Sequence, residues 1–441
     1  MNILVVGSGA REHILLKTLA QSPTKSTLFC CATSIHPGIL QWTTTSAVVD
    51  IRNVEAVLAQ ALTWKINLAI IGPEAPLEQG LADLLLQHGI LVVGPQKKSA
   101  QLETSKGFTR ELCKKHQIPG TPQYQFFTEL SGALPFLQTL GEGNYVVKAD
   151  GLMGGKGVKV AGEHLHSIEE AFQFCMELYG KGLSFVIEEK LVGQEFSLLN
   201  FCDGERLFPM PVVQDHKRAF AGDTGPNTGG MGSYSDANHG LPFLLPAEIE
   251  AAQQINESVR KALQEECQEP YRGILYGSFI ATKKGVYVIE YNARFGDPEV
   301  LNLLSILDCD FVELCTSLAR GSLSSDQVRF KNLATVCKYA VPVGYPDSTP
   351  TPASFCISQV QNKDQLYLGG VHEDEGKLWA TGSRTVAVVG IAPTISQAEQ
   401  IAEAEICRIE GPLFHREDLG TPTLIGHRIS MMERIREQGL S

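Results

Sequence analysis

Short apolar runs alternate with helix-forming stretches through the first hundred residues. The runs at 2–6, 27–31, 68–71 and 90–93, apolar after an opening Asn2 or Thr27 in the first two, are too short for buried helices, so they predict buried strands. Helical segments are expected at 11–20 and 76–88. Three runs end on glycine, in Gly7-Ser8-Gly9, Gly72-Pro73 and Gly94-Pro95. Strands alternating with helices predict a doubly wound parallel sheet, an α/β domain over 1–103. Ligands of such sheets gather beyond the carboxyl ends of the strands, where these glycine turns lie.

The pattern then changes. A helix at 105–116, strands near 122–127 and 144–148, a glycine-rich turn at 150–157, a strand at 158–161, a helix at 168–179 and a strand at 184–189 predict a small α+β lobe, 104–192. Longer strands follow at 195–202, 273–282 and 285–292, the last two a hairpin around Lys283-Lys284, in a lobe over 193–327. Between them runs a polar, glycine-rich loop, 222–232, of the kind that carries function inside a compact domain. Residues 328–441 read as a β-rich module ending in a helix at 396–409 and a short tail.

Composition narrows the function classes. The 441 residues carry 37 Lys and Arg against 49 Asp and Glu, a net charge of −12. This balance argues against nucleic-acid or membrane-surface binding, both of which need clustered cations. No apolar run spans a bilayer. The run at 3–6 is too short for a secretory leader and has no basic residues before it, so a cytoplasmic protein is expected. The 11 cysteines show no zinc or redox spacing and read as reduced thiols.

Four segments carry candidate chemistry. Gly7-x-Gly9-x-x-Glu12 follows a strand and opens a helix, which suits a phosphate. A dinucleotide site wants a third glycine where Glu12 stands and an acid at the end of the second strand, where the chain reads Cys30-Cys31-Ala32-Thr33. A phosphosugar therefore fits better than a nicotinamide cofactor; a tight turn alone is the bland alternative. The turn at 150–157, with Lys148 and Lys156 beside it, resembles a glycine loop over nucleotide phosphates but lacks Walker A spacing. The strand ending at Glu188 and Glu189, with Leu191 and Glu195 beyond, can offer backbone groups to adenine and a carboxylate to ribose. Glu290 and Asn292 share a strand face and make a hard-oxygen site for Mg²⁺, with Arg294 following on the same face for a phosphoryl group. Asp215, Lys217 and the loop around Asn227, Thr228, Gly229 and Gly230 could seat a small zwitterion. Arg384 could reach the cleft, although nothing in its local sequence says so.

In order, these segments resemble the ATP-grasp ligases, and within them the phosphoribosylamine–glycine ligase (glycinamide ribonucleotide synthetase) family. The resemblance rests on Gly7-Ser-Gly-Ala-Arg-Glu-His13, Gly72-Pro-Glu-Ala-Pro-Leu77, Val147-Lys-Ala-Asp-Gly-Leu152, Gln214-Asp-His-Lys-Arg218, Thr224-Gly-Pro-Asn-Thr-Gly-Gly-Met-Gly232, Val288-Ile-Glu-Tyr-Asn-Ala-Arg-Phe-Gly-Asp-Pro-Glu299 and Phe414-His-Arg-Glu-Asp-Leu-Gly420. It implies an ATP-grasp fold of two lobes and ATP- and Mg²⁺- (or Mn²⁺-) dependent joining of glycine to 5-phosphoribosylamine, by a monomer or weak homo-oligomer.

The resemblance also implies residue roles. Lys106, Lys148, Gly155 and Lys156 would hold ATP phosphates. Glu188, Glu189 and Leu191 would line adenine, and Glu195 would take the ribose. Glu290 and Asn292 would bind metal, and Arg294, Lys148 and Asp215 would act in catalysis. Asp215, Lys217 and residues 227–230 would face glycine, while Gly9, Arg11, Glu12 and Glu74 would face phosphoribosylamine. Ala10, Ile39 and Ser383 depart from the family pattern, which leaves a relative with another phosphosugar amine as the alternative. Ser278 stands where many ATP-grasp enzymes carry a second metal acid. A nicotinamide oxidoreductase and a non-catalytic nucleotide-binding protein are the more distant readings.

Overall fold

The computed structural model describes residues 1–153, 157–346 and 353–438. The apolar runs of the first hundred residues form a five-stranded parallel sheet in the order Thr45–Val48, Thr27–Ala32, Asn2–Val6, Leu68–Ile71, Leu91–Val93. The sheet is doubly wound, with its three inner strands buried almost throughout. The expected helix at 76–88 is two helices, Glu74–Glu78 and Leu81–Gln87, broken at Gly80, whose φ of 86° is left-handed. Helix-forming residues on both sides mask that break in the sequence.

The next lobe is an antiparallel sheet in the order Tyr124–Phe127, Phe185–Glu189, Tyr145–Ala149, Val158–Val160. Its core of Phe127, Leu137, Tyr145, Val147, Phe174 and Phe185 is separate from the rest of the molecule. Each such buried aromatic or aliphatic side chain contributes roughly 1.5–3 kcal/mol. The lobe can therefore hold its own shape and shift as a body.

The following sheet is antiparallel, Leu207–Pro209, Gln194–Asp203, Arg272–Thr282, Gly285–Asn292, and includes the expected hairpin. A 22-residue helix, Pro246–Cys267, packs on it. The polar loop at 222–232 is partly ordered as a small hairpin, Arg218–Phe220 with Thr224–Asn227.

The last third builds a sheet on Ala334–Pro342, Val386–Ala392 and Leu366–Leu368. Two strands from the preceding lobe, Gln214–Asp215 and Gly232–Ser235, complete it. The expected short tail is mostly the helix Pro422–Gln438, whose Met432 and Ile435 join the core beneath Pro246–Cys267. One apolar cluster runs from Ile3 and Val5 through Phe201, Val300 and Leu314 to Tyr339 and Val389, binding the parallel sheet, the large lobe and the last module together. Among the described residues, no helix is long and apolar enough to cross a membrane.

Candidate active site

The site lies where the parallel sheet, the two central lobes and the last module meet. Its nucleotide side begins with Lys148. Antiparallel register puts Lys148 and Glu188 on neighbouring strands, and Lys148 Nζ lies 2.7 Å from Glu188 Oε2. Arg110 grips the same carboxylate through Nε at 2.6 Å and a second guanidinium nitrogen at 3.0 Å, and also donates to the Ile289 carbonyl. Burial would push the Glu188 carboxyl up, but Arg110 and Lys148 outweigh it and hold it down at about 2. The expectation that Glu188 lines adenine therefore needs correction for its side chain, whose oxygens are already taken by two cations. What it does is aim Lys148.

Helix Lys106–Lys115 starts at the glycine-rich turn. Ser105 caps it by accepting from the Phe108 amide and donates to Asp150, which also accepts from the Gly107 amide. Lys106 Nζ bonds the Gly151 carbonyl at 3.1 Å. Gly155 and Lys156 lie outside the described residues. Glu189 accepts from the Gln123 amide, and Glu195 is exposed at the mouth of the cleft.

Glu290 and Asn292 stand on one face of Gly285–Asn292. Arg294 lies past the end of that strand and not on its face as expected; it returns to Asn292 by donating to Oδ1 at 3.1 Å. Burial would raise the Glu290 carboxyl, but Lys217, Lys148, Lys106 and Arg294 together hold it below its ordinary range. Lys217 Nζ lies 3.6 Å from Glu290, while Lys148 is also paired with Glu188 and Arg294 with Glu103 and Glu74, so acids and cations alternate on this side of the cleft and a polyanion would compete with the acids for the same cations. Ser278 is the cross-strand partner of Glu290, so any acid there would have faced the same point.

Arg294 connects this side to the parallel sheet. Its guanidinium lies 2.9 Å from Glu103 and 3.4 Å from Glu74. Glu103 also accepts from the Ala293 amide at 2.7 Å, which fixes the backbone carrying the arginine. Beside it, Arg11 donates to the Phe295 carbonyl and pairs with Glu12.

Glu12 is only 2% exposed and folds back to accept from the Gly9 amide at 2.6 Å. Its carboxylate fills the space beyond the ends of Asn2–Val6 and Leu68–Ile71, so a Cβ at Gly7 or Gly72 would collide with it. This is why glycines precede a glutamate here. The acid itself occupies the turn where a dinucleotide fold would leave room for pyrophosphate, which removes the main support for the nicotinamide reading.

Ile39, a departure from the family pattern where the resemblance implies an amide side chain towards the sugar phosphate, is 1% exposed and part of the core, on a single helical turn, Pro37–Leu40. An Ile39→Asn variant should therefore lose about 2–4 kcal/mol of stability, from lost packing and a buried amide. A denaturant titration checks this; a lowered KM for the amine at unchanged stability would return the position to the site.

The third side is the loop at 227–230. Thr228 bonds the Lys217 carbonyl through both its amide and its hydroxyl, and the Gly230 amide donates back to Thr228. Gly230, at φ 111°, lets Asp215 approach so closely that a Cβ would meet its Oδ1 at 2.7 Å. Burial and the neighbouring Glu299 push the Asp215 carboxyl well up, against the pull of Lys217 and Arg384. A cation such as an ammonium ion would relieve the repulsion between these two carboxyl groups.

Arg384 does reach the cleft. It donates to the Asp297 carbonyl at 2.7 Å, pairs with the Asp297 carboxylate at 3.1 Å and lies over the Tyr339 ring. Arg110, Glu103, Asp297 and Glu299 were not singled out in the sequence. The last two lie inside the Asn292–Glu299 string and were open to recognition; Arg110 and Glu103 sit in ordinary amphipathic helices and carry no local signal.

Family models support this geometry domain by domain. Residues 1–103 match the phosphoribosylglycinamide synthetase N domain, 104–300 its ATP-grasp (A) domain and 335–422 its C domain. The chain is 44% identical over 436 residues to phosphoribosylamine–glycine ligase of Methanosarcina barkeri, covering 99% of this chain and 100% of the relative. It is 45% identical over 445 residues to that of Methanocaldococcus jannaschii, again covering 99% and 100%. Among solved structures, phosphoribosylamine–glycine ligase from Thermotoga maritima superposes with a TM-score of 0.79 at 26% identity, over 95% of this chain and 100% of that one. Biotin carboxylase from Campylobacter jejuni, at 14% identity and a TM-score of 0.72 over 98% of this chain and 95% of that one, shares the fold. The chain belongs to the phosphoribosylamine–glycine ligase family of ATP-grasp enzymes.

Proposed function

We propose that the protein joins glycine to 5-phosphoribosylamine at the expense of ATP, giving glycinamide ribonucleotide, ADP and phosphate in purine biosynthesis. The observation that carries this reading is the grouping of Glu290 and Asn292 on one strand face with Lys217 3.6 Å from Glu290 and Arg294 bonded to Asn292, beside the buried Asp215.

A carboxylate is a poor acyl donor, so glycine is first converted to an acyl phosphate. Lys106 and Lys148 take up the triphosphate, with Lys148 aimed by Glu188. Leu191 offers its backbone to adenine, Glu189 lines the same pocket, and Glu195 takes the ribose. Asp215 holds the glycine ammonium group while Lys217, whose backbone is pinned by Thr228 of the loop at 227–230, orients its carboxylate. Glu290 and Asn292 are oxygen donors on one strand face and fit Mg²⁺ or Mn²⁺, which would supply charge neutralisation between the phosphates. Arg294 stabilises the phosphoryl group in flight. Gly9, Arg11 and Glu74 present phosphoribosylamine from the parallel-sheet side, and Glu12 shapes the turn that carries them. The small lobe, with its separate core, closes over the acyl phosphate and excludes water. We place the enzyme in the cytoplasm as a monomer or weak homo-oligomer, working on small molecules and not on nucleic acid or membranes.

The test is a coupled ADP-release assay. Turnover should require glycine and freshly generated phosphoribosylamine together, with glycinamide ribonucleotide as the product by mass. Absence of turnover with that pair, and release with another phosphosugar amine, would move the chain to a different substrate.

A further inference from the structure

A second group of metal-ligating side chains lies in the last module, among residues to which the reaction assigns no part. Glu403 is on helix Ile395–Ile406, and Cys407 is that helix's C-cap, one turn further on. His415 follows the strand Leu413–Phe414, which pairs with Ala334–Pro342. Their donor atoms all lie within 4.8 Å of one another. His415 Nε2 is 3.1 Å and Cys407 Sγ 3.3 Å from the same oxygen, Glu403 Oε1.

Tetrahedral zinc, with metal–ligand bonds of about 2.0–2.3 Å, places its donor atoms roughly 3.3–3.7 Å apart, so the two spacings to Glu403 Oε1 already come within a few tenths of an ångström of that range, and the third pair lies within 4.8 Å. The other Glu403 oxygen is held by Lys338 Nζ at 2.6 Å, and Lys338 is itself buried and bound to Glu399 and to the Glu417 carbonyl. That lysine is an outer partner that orients the ligand, as metal-site carboxylates require. Glu399 and Glu403 outweigh its single charge, so the group keeps a net negative charge before the thiol ionises. Cys407 is exposed, which leaves the fourth position open to water.

The geometry points to a binding site for one zinc-type divalent cation at Glu403, Cys407 and His415, separate from the Mg²⁺ position at Glu290 and Asn292. A nitrogen, an oxygen and a sulfur donor together select borderline metals such as Zn²⁺, Co²⁺ or Ni²⁺ and disfavour Mg²⁺, which takes oxygen alone. An ion there would staple the end of the helix to the segment at 413–415.

The test is Co²⁺ titration of the chelator-treated full-length protein, read by absorption. One equivalent should produce a thiolate-to-cobalt charge-transfer band in the near ultraviolet and tetrahedral bands in the visible. Zn²⁺ should erase them and excess Mg²⁺ should not. Cys407→Ser and His415→Gln should each lose the charge-transfer band, while Cys356→Ser, at the other exposed cysteine, should keep it. Wild-type ADP release in Cys407→Ser shows that the loss is not misfolding. Zn²⁺ should also raise the thermal unfolding midpoint of the wild type but not of Cys407→Ser. Absence of the band in the wild type, its survival in Cys407→Ser, or its loss in Cys356→Ser overturns the site.

Discussion

Glu290→Ala is expected to abolish glycine-dependent ADP release, with kcat lowered by at least ~10³. The carboxylate has two jobs in the cleft. As the proposed metal ligand it would supply an oxygen, and it offsets the charges of Lys217, Lys148, Lys106 and Arg294. Without it the cations remain, so nucleotide affinity in the absence of divalent ion should be kept or should rise while turnover collapses. Glu290→Gln preserves shape but not charge and should behave almost as badly. Turnover within tenfold of wild type in either variant would dismiss the metal assignment, and calorimetric nucleotide binding measured alongside separates lost chemistry from lost fold.

Arg294→Ala carries the next largest effect, an expected fall in kcat of about 10³. The guanidinium reaches Glu103, Glu74 and Asn292 at once, in three directions. A lysine has one charged atom and cannot span that fork, so Arg294→Lys should recover only a small part of the loss. Steady-state kinetics with each substrate varied decides the role. A fall in kcat at constant KM places the arginine on the phosphoryl group. A rise in KM for the amine alone would make it a seam residue that shapes the sugar side through Glu74.

Some of this was open to reading in the sequence because its physics is local. Asn2–Val6 and Leu68–Ile71 stand out as strands because both faces are buried and every position after Asn2 is apolar. The string from Glu290 to Glu299 compresses a metal face, a turn and an arginine into ten residues. Other parts were hidden because their meaning is made at a distance. Arg110 finds Glu188 across 78 positions, and Glu103 finds the Ala293 amide across 190. Each sits in a short helix whose own pattern asks only for a solvated face. Helix Pro246–Cys267 is long but strongly polar, and Gly80 interrupts a helical pattern that its neighbours continue. Ile39 misled in the opposite sense, since a family difference next to a substrate motif turned out to be core packing.

The strand Gly232–Ser235 has consequences for how the molecule is made. It leaves the ribosome about a hundred residues before Ala334–Pro342, the central strand it pairs with. Until then its outer edge is an open row of amides and carbonyls, the kind of template that recruits other chains. The loop at 227–230 gains its bonds to Tyr345 and Arg384 only after Ala334–Pro342 has been made, so the proposed glycine seat is completed late. A product that stops near 327 would carry every residue proposed for the nucleotide and the metal, yet it would lack the sheet that frames the amino acid.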